Sequence, residues 1–337
     1  MKISVIITAY NRKDFILQAI NSVINQTIDK TLYEIITITN FEYSLESVPK
    51  NLKLKHIYSE GSVGEFLQKG IEASEGDVIA FLDDDDLWQK NRLEKIVTVF
   101  STVQGISYYH NSQRHIDING NEISNLSLSG FNKRLRKLSP LIVNVSDIDK
   151  IMKLLKFLPF ANLSSIAINR ITARSILPLL GNIESSTDVF FFWCSIIFGT
   201  RLYIDSETST FYRLHNLNST RSIAFGYQFK AREHLRIRNV YVLLNSLILA
   251  TSNKNQYMIT TFLRCQTSSH EILSSIFSLS PRLSVMKDLV KYKNCVRVLN
   301  DDFTIQTIGM SVAYLFSPGL CLFIFGKLRQ IESMKNV

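Results

Sequence analysis

The strongest chemical signal is a run of four aspartates, Asp83–Asp86, directly after the apolar segment Val78–Leu82. Adjacent carboxylates repel one another, and a bound cation or hydrogen-bond donors would offset that repulsion. Mg²⁺ and Mn²⁺ prefer oxygen ligands, and usually reach a protein through one or two carboxylates together with substrate phosphates. The run therefore predicts a site for a metal and a diphosphate, and a solvated acidic turn is the structural alternative.

Other metal and phosphate sites are excluded by missing patterns. The residue spacing of an EF-hand is absent, and the glycine-rich P-loop pattern occurs nowhere. The four cysteines are far apart and form no C-x-x-C pair, so we expect four reduced thiols in a cytosolic compartment. The apolar run at the N-terminus is too short for a signal peptide, and no cleavage-site pattern follows it.

Strand and helix patterns alternate through the first hundred residues. Apolar, β-branched runs predict strands at 3–8, 33–39, 54–58 and 78–82. Helical spacing predicts helices at 11–26, with Asn11 as the N-cap, and at 62–73 and 87–100. This order is typical of a doubly wound, mostly parallel α/β sheet flanked by helices, in which ligands bind at the carboxyl ends of the strands.

The pattern changes toward the C-terminus. Predicted elements continue with a strand at 162–168, a helix at 187–198 and strands at 201–204 and 209–213. After about Ile223 only long helices are indicated, so we predict a domain over 1–222, with halves 1–105 and 106–222, and a helical region over 223–337.

Charge is unevenly distributed along the chain. Residues 1–110 carry 11 Lys/Arg and 15 Asp/Glu, whereas residues 221–337 carry 15 and 6. A basic end of this kind is suited to nucleic acid or to an anionic membrane surface. The apolar segment at 303–326, described below, favours the membrane.

Three segments, SVIITAYNR at 4–12, GIEASEGD at 70–77 and FLDDDD at 81–86, together resemble the family 2 glycosyltransferases of GT-A fold, over roughly residues 1–220. The resemblance implies inverting transfer of a sugar from a nucleotide diphosphate donor. It implies that Asp83 or Asp84 meets the ribose and that Asp85 binds Mn²⁺ or Mg²⁺. The donor is expected to contact the opening turn, formed by Thr8, Ala9, Tyr10, Asn11 and Arg12.

Two departures from the family pattern concern donor binding. Asn40 stands near the place of an aspartate that contacts the base, so an amide is expected there and the base preference is left open. The run at 66–70 lacks the arginine that the family often carries, and Lys69 is the candidate replacement.

The resemblance also assigns roles further along the chain. Asp188 matches the aspartate that serves as catalytic base in the family, although Thr187 replaces the usual glutamate; a helix cap is the alternative. Arg213 is expected to contact the donor phosphates, and His215 to bind the metal or the diphosphate, with a purely structural histidine as the alternative.

The predicted function is transfer of one sugar from a nucleotide diphosphate sugar to a glycan or lipid-linked acceptor. Transfer is expected to be non-processive, because neither Trp88 nor Trp193 lies in a Q-x-x-R-W motif. No nucleic-acid partner is predicted. The alternatives are a sugar-nucleotide-binding protein without activity and a Mg²⁺-dependent nucleotidyltransferase.

Residues 303–326 contain no charged side chain and are long enough to cross a bilayer. However, Ser317-Pro318-Gly319 interrupts them, and a single span would separate the basic tail from a cytosolic catalytic domain. We therefore predict short helices at the cytoplasmic face of a membrane, with a buried pair of core helices as the alternative.

Overall fold

The computed structural model describes residues 1–44, 49, 51–123, 139–155, 159–215, 226–251, 256–299, 302–319, 321–323 and 325. The chain divides into two compact units, Met1–Leu214 and His215–Val337. The domain boundary predicted at 222 falls within 216–225, outside the described residues, and stays a prediction.

The first unit is built on one mixed sheet, which comprises ten strands in the described part of the chain. Its strands are β1 (Ile3–Ala9), β2 (Tyr33–Thr39), β3 (Leu54–Tyr58), β4 (Val78–Asp83), β5 (Leu87–Trp88), β6 (Ile106–Ile116), β7 (Glu122–Ile123), β8 (Leu141–Asn144), β9 (Ile166–Asn169) and β10 (Arg201–Arg213). The main order is β3-β2-β1-β4-β9-β6-β10-β5. The half from β3 to β4 is parallel, whereas β9 pairs antiparallel with β4 and β6. The predicted α/β architecture is confirmed.

Helices flank this sheet. They are α1 (Ile16–Ile24), α2 (Val63–Ala73), α3 (Arg92–Thr102), α4 (Ile148–Leu154), α5 (Arg170–Ile176) and α6 (Thr187–Phe198). Strands β1 and β2 are buried along their whole length, and α1 buries Ile16, Ala19, Ile20 and Val23 in the same core. Because the central strands are covered on both faces, their carboxyl ends are the exposed edge at which polar side chains converge.

Three local predictions are corrected. Asn11 is not the cap of α1: the helix begins at Ile16, and Asn11 has a positive φ of 54°. Residues 87–88 are the strand β5, because they pair antiparallel with β10 instead of joining the following helix. The two strands predicted within 201–213 form the single strand β10, whose register shifts at a bulge between Asp205 and Thr208.

The second unit is helical, as predicted. Its described helices are α7 (Gly226–Leu249), α8 (Gln256–Phe277), α9 (Arg282–Leu299) and α10 (Asp302–Phe316). The expectation of four reduced thiols is wrong, because α8 and α9 bring the Cα atoms of Cys265 and Cys295 to 5.4 Å, where the two residues form a disulfide. Cys194 and Cys321 are free and buried.

Helix α10 ends at Phe316, at the predicted interruption. One of its faces is buried through Thr307, Ser311 and Tyr314, while Ile305 and Phe316 are exposed. Within the described ranges, no helix has both the length and the apolar character that a bilayer crossing requires.

Candidate active site

The turn after β1 is held by a reciprocal amide pair. The Asn11 backbone N–H donates to Asn40 Oδ1 at 2.8 Å, and Asn40 Nδ2 donates to Asn11 Oδ1 at 2.7 Å. Asparagine tolerates the left-handed backbone that Asn11 adopts, and this pairing satisfies its polar groups there. Asn40 therefore connects the carboxyl ends of β1 and β2. Its contact with a nucleotide base stays a prediction.

The neighbouring donor-binding candidates lie at the same edge. Thr8 and Ala9 are buried in β1, and Thr8 pairs in register with Asp83 of β4. Tyr10 is 58% exposed, with its ring centroid 5.9 Å from that of Phe66. Lys69 donates to Ser59 Oγ at 2.8 Å, which places its amine beside the end of β3.

Arg12 binds the aspartate cluster directly. Its Nε and Nη2 atoms donate to the two carboxylate oxygens of Asp84 at 2.7 and 2.6 Å, and Nη2 lies 2.9 Å from Asp85 Oδ2. Asp84 and Asp85 are only 3% and 7% exposed. A bidentate guanidinium–carboxylate pair is a strong and directional interaction, so Arg12 orients both carboxylates.

Asp86 is oriented by a different set of donors. Asn162 Nδ2 donates to Asp86 Oδ2 at 2.6 Å, and the Arg213 backbone N–H donates to Asp86 Oδ1 at 2.9 Å. The Asp83 N–H donates to Ser164 Oγ at 3.0 Å. The turn after β4 is thus fixed by residues from three separate segments.

Burial raises the pKa of Asp83, Asp84 and Asp86, and repulsion among the aspartates adds to the effect. Burial alone would lower the pKa of Arg12, but its hydrogen bond to Asp84 and the charges of the aspartates raise it. A further cation beside these carboxylates would stabilise their charged forms. The donor set therefore fits a hard divalent ion that also binds diphosphate oxygens.

No group of three or more His, Cys, Asp or Glu side chains suited to a metal ion is found among the described residues. The binding of a metal ion at Asp85 stays a prediction. His215 belongs to the second compact unit, and its role as a ligand stays a prediction.

Arg213 is fully buried and its guanidinium is engaged by the protein. Nε donates to the Asp85 carbonyl at 2.7 Å, Nη1 to the Ile118 carbonyl at 2.7 Å, and Nη2 to Gln18 Oε1 at 2.8 Å. The guanidinium carbon also lies 4.6 Å from the Phe15 ring centroid. These contacts support the turn that carries Asp85 and Asp86, while the predicted phosphate contact of Arg213 stays a prediction.

We expect Arg213→Lys to destabilise the first unit by about 2–4 kcal/mol, because one buried ammonium group cannot make the hydrogen bonds that Nε, Nη1 and Nη2 of the guanidinium donate in three directions. Urea unfolding followed by tryptophan fluorescence measures the change. Arg201→Lys, on the more exposed start of β10, is the control and should cost less than about 1 kcal/mol. Equal stability of the two variants would contradict the supporting role.

Asp188 lies in the first turn of α6, after Ser186 at the N-cap position. Its Oδ1 accepts from the Val189 N–H at 2.8 Å. Burial raises its pKa to about 6 although this backbone bond acts in the opposite direction. No hydrogen bond or ion pair joins Asp188 to the aspartate run among the described residues. The structure thus gives Asp188 the pKa of a usable base, and its catalytic role stays a prediction.

Three supporting residues were not found from the sequence: Gln18, Asn162 and Ser164. Asn162 and Ser164 precede β9, which lies next to β4 in the sheet, although they are 76 and 81 residues away from their partners along the chain. No local pattern marks residues of this kind, because their role is created by strand order.

Comparison with known proteins indicates the class of enzyme that this chain resembles. The model of the family described as glycosyl transferase family 2 matches residues 4–152. An uncharacterized glycosyltransferase of Nostoc sp. is 28% identical over 256 residues, which cover 72% of this chain and 74% of that protein. In seven further curated relatives the match covers 18–39% of the relative's length.

Two solved structures share the fold. The crystal structure of Staphylococcus aureus TarS 1–349 in complex with UDP-GlcNAc has a TM-score of 0.61 at 17% identity, covering 94% of this chain and 84% of that one. A mannosyltransferase from Pyrobaculum calidifontis in complex with GDP-Man and Mn²⁺ has a TM-score of 0.52 at 12% identity, covering 95% and 86%.

The first unit therefore has the GT-A fold of nucleotide-sugar-dependent transferases, as predicted. Residues 4–152 match the family 2 glycosyltransferases, as predicted, and the relative that covers 72% of the chain is also a glycosyltransferase.

Proposed function

We propose that the protein transfers one sugar from a nucleotide diphosphate sugar to a glycan or lipid-linked acceptor, with inversion and with a divalent metal. The observation that carries this proposal is the buried aspartate turn after β4, bound by Arg12 from the turn after β1. This arrangement places carboxylates and a guanidinium at the strand edge where nucleotides bind in α/β sheets.

In this proposal Asp85 holds Mn²⁺ or Mg²⁺ together with diphosphate oxygens, and Asp83 or Asp84 contacts the ribose. A metal bound there would offset the negative charge that develops on the departing diphosphate. Arg12 already lies against Asp84 and Asp85, so its guanidinium is also near enough to the cluster to serve as a cationic contact for the donor.

Asp188 is the proposed general base. An inverting transfer requires one group to accept the proton of the acceptor hydroxyl as the anomeric carbon is attacked. A carboxyl with a pKa of about 6 is mostly ionised at neutral pH, yet is more basic than an ordinary aspartate. These two properties support Asp188 in this role.

The donor and acceptor are the finer part of the proposal. Among proteins of this fold, the structure of TarS contains UDP-GlcNAc and that of the Pyrobaculum calidifontis mannosyltransferase contains GDP-Man and Mn²⁺. These two nucleotide sugars are therefore the first donors to test. A peripheral position on the cytoplasmic face of a membrane would bring the active site to a lipid-linked acceptor.

Product analysis tests the reaction class. The purified chain is incubated with UDP-GlcNAc or GDP-Man, Mn²⁺ and a set of glycan and lipid-linked acceptors. We expect free nucleoside diphosphate and a β-linked product, which is identified by NMR. A second incubation contains a sugar phosphate, a nucleoside triphosphate and Mn²⁺ in place of the nucleotide sugar; release of pyrophosphate there would instead indicate a nucleotidyltransferase. Donor binding without turnover for any acceptor would favour a binding protein.

A further inference from the structure

Helix α9 presents apolar side chains on two opposite faces. Val285, Tyr292 and Cys295 are buried in the core of the second unit. Leu283, Met286 and Val290, spaced three and four residues apart, share another face and are 58%, 44% and 60% exposed. We call these three residues the α9 stripe. Packing within the unit explains the first face and leaves the α9 stripe open to another partner.

Cations border the α9 stripe. Arg282, Lys287 and Lys291 are exposed next to it, and the Lys291 side chain is 78% exposed. Asp288 is the only acidic residue between 282 and 299, and lies 3.6 Å from Lys291. Its side chain is only 22% exposed, so the surface around the α9 stripe is positively charged.

A second apolar surface lacks these charges. On α10, Ile305, Val312 and Phe316 are 60%, 42% and 81% exposed. However, residues 303–326 contain no lysine or arginine. An anionic lipid surface attracts basic residues, and binding becomes stable when apolar burial and this attraction act together. Of these two surfaces, the α9 stripe is the one that carries both parts.

We infer that the α9 stripe and its three flanking cations bind an anionic phospholipid membrane. This inference rests on the proposed peripheral position and moves the contact from residues 303–326 to α9. Leu283, Met286 and Val290 enter the boundary between headgroups and acyl chains, while Arg282, Lys287 and Lys291 reach the phosphate groups. Helix α9 then lies parallel to the membrane plane.

Vesicle co-sedimentation of the full chain tests the assignment. The vesicles consist of phosphatidylcholine alone or with one third phosphatidylglycerol. The triple variant Leu283→Gln, Met286→Gln and Val290→Gln should bind the anionic vesicles about tenfold or more weakly than the natural chain. The triple variant Arg282→Gln, Lys287→Gln and Lys291→Gln should also bind the anionic vesicles about tenfold or more weakly, because each cation near such a surface contributes about five-fold to the affinity.

The matched control replaces Ile305, Val312 and Phe316 with Gln, which removes the other exposed apolar face. It should bind anionic vesicles within about twofold of the natural chain. Circular dichroism establishes that each variant keeps its helices. Binding of the natural chain to anionic vesicles should weaken as the salt concentration rises, and its binding to neutral vesicles should be weaker.

Each contrary outcome has its own meaning. If the α10 control loses vesicle binding while both α9 variants keep it, the assignment to α9 is wrong but the peripheral position stands. No vesicle binding by the natural chain would overturn both, and leaves the product assay for sugar transfer as a separate test. A dimer in sedimentation analysis that the α9 variant abolishes, without vesicle binding, would assign the stripe to contact with a second copy.

Discussion

Replacing Asp85 with Asn is expected to lower turnover by more than about 10²-fold, since changing even an outer-shell partner of a metal ligand typically costs 10–100-fold. The substitution removes one carboxylate charge and keeps the size of the side chain. The bidentate contact between Arg12 and Asp84 does not involve Asp85 and should persist. The turn should therefore remain folded while the affinity for the metal falls.

Isothermal titration with nucleoside diphosphate, with and without Mn²⁺, separates the metal from the rest of the site. The natural chain should bind the nucleotide more tightly when Mn²⁺ is present, and Asp85→Asn should lose this difference. Asp149→Asn removes an exposed aspartate from α4 and is the control for a general loss of charge. If Asp85→Asn keeps the Mn²⁺ dependence, Asp85 is not the ligand.

Asp188→Asn is expected to lower turnover by about 10²–10⁴-fold, the usual contribution of a positioned general base. The donor affinity should hardly change, because the proposed role concerns the acceptor hydroxyl. Loss of the carboxylate contact with the Val189 N–H should cost at most about 1 kcal/mol of stability. Turnover, donor affinity and unfolding should be measured on one preparation.

The pH dependence gives an independent test of the base. Because burial raises the pKa of Asp188 to about 6, the carboxylate becomes protonated as the pH falls through 6. Turnover of the natural chain should therefore decrease below about pH 6. Because burial also raises the pKa of Asp84 to about 6, the decrease should be shallower in Asp188→Asn and should not vanish. Glu184→Gln, at an exposed site before α6, is the matched control. Near-normal turnover of Asp188→Asn would contradict the role, and Glu184 would become the nearest candidate.

Helices and strands whose residue pattern repeats over a few positions are predictable from the amino-acid sequence. The predicted bounds of β2, β3 and α6 agree with the structure to the residue, because apolar runs and helical spacing are local signals. The start of α2 was also predictable, since Ser62 and Glu65 form a capping box within one turn. The aspartate run after an apolar strand was recognisable for the same reason.

Which side chains meet at the candidate site depends on the order of the strands in the folded sheet. Arg12 reaches Asp84 across 72 residues, and Asn162 reaches Asp86 across 76, because β1 and β9 both lie next to β4. The local sequence predicts that Asn11 caps a helix, whereas in the folded sheet its side chain pairs with Asn40 at the end of the neighbouring strand. The Cys265–Cys295 disulfide likewise follows from the packing of two helices. Contacts of this kind depend on which elements become neighbours, and local spacing along a chain carries no information about that choice.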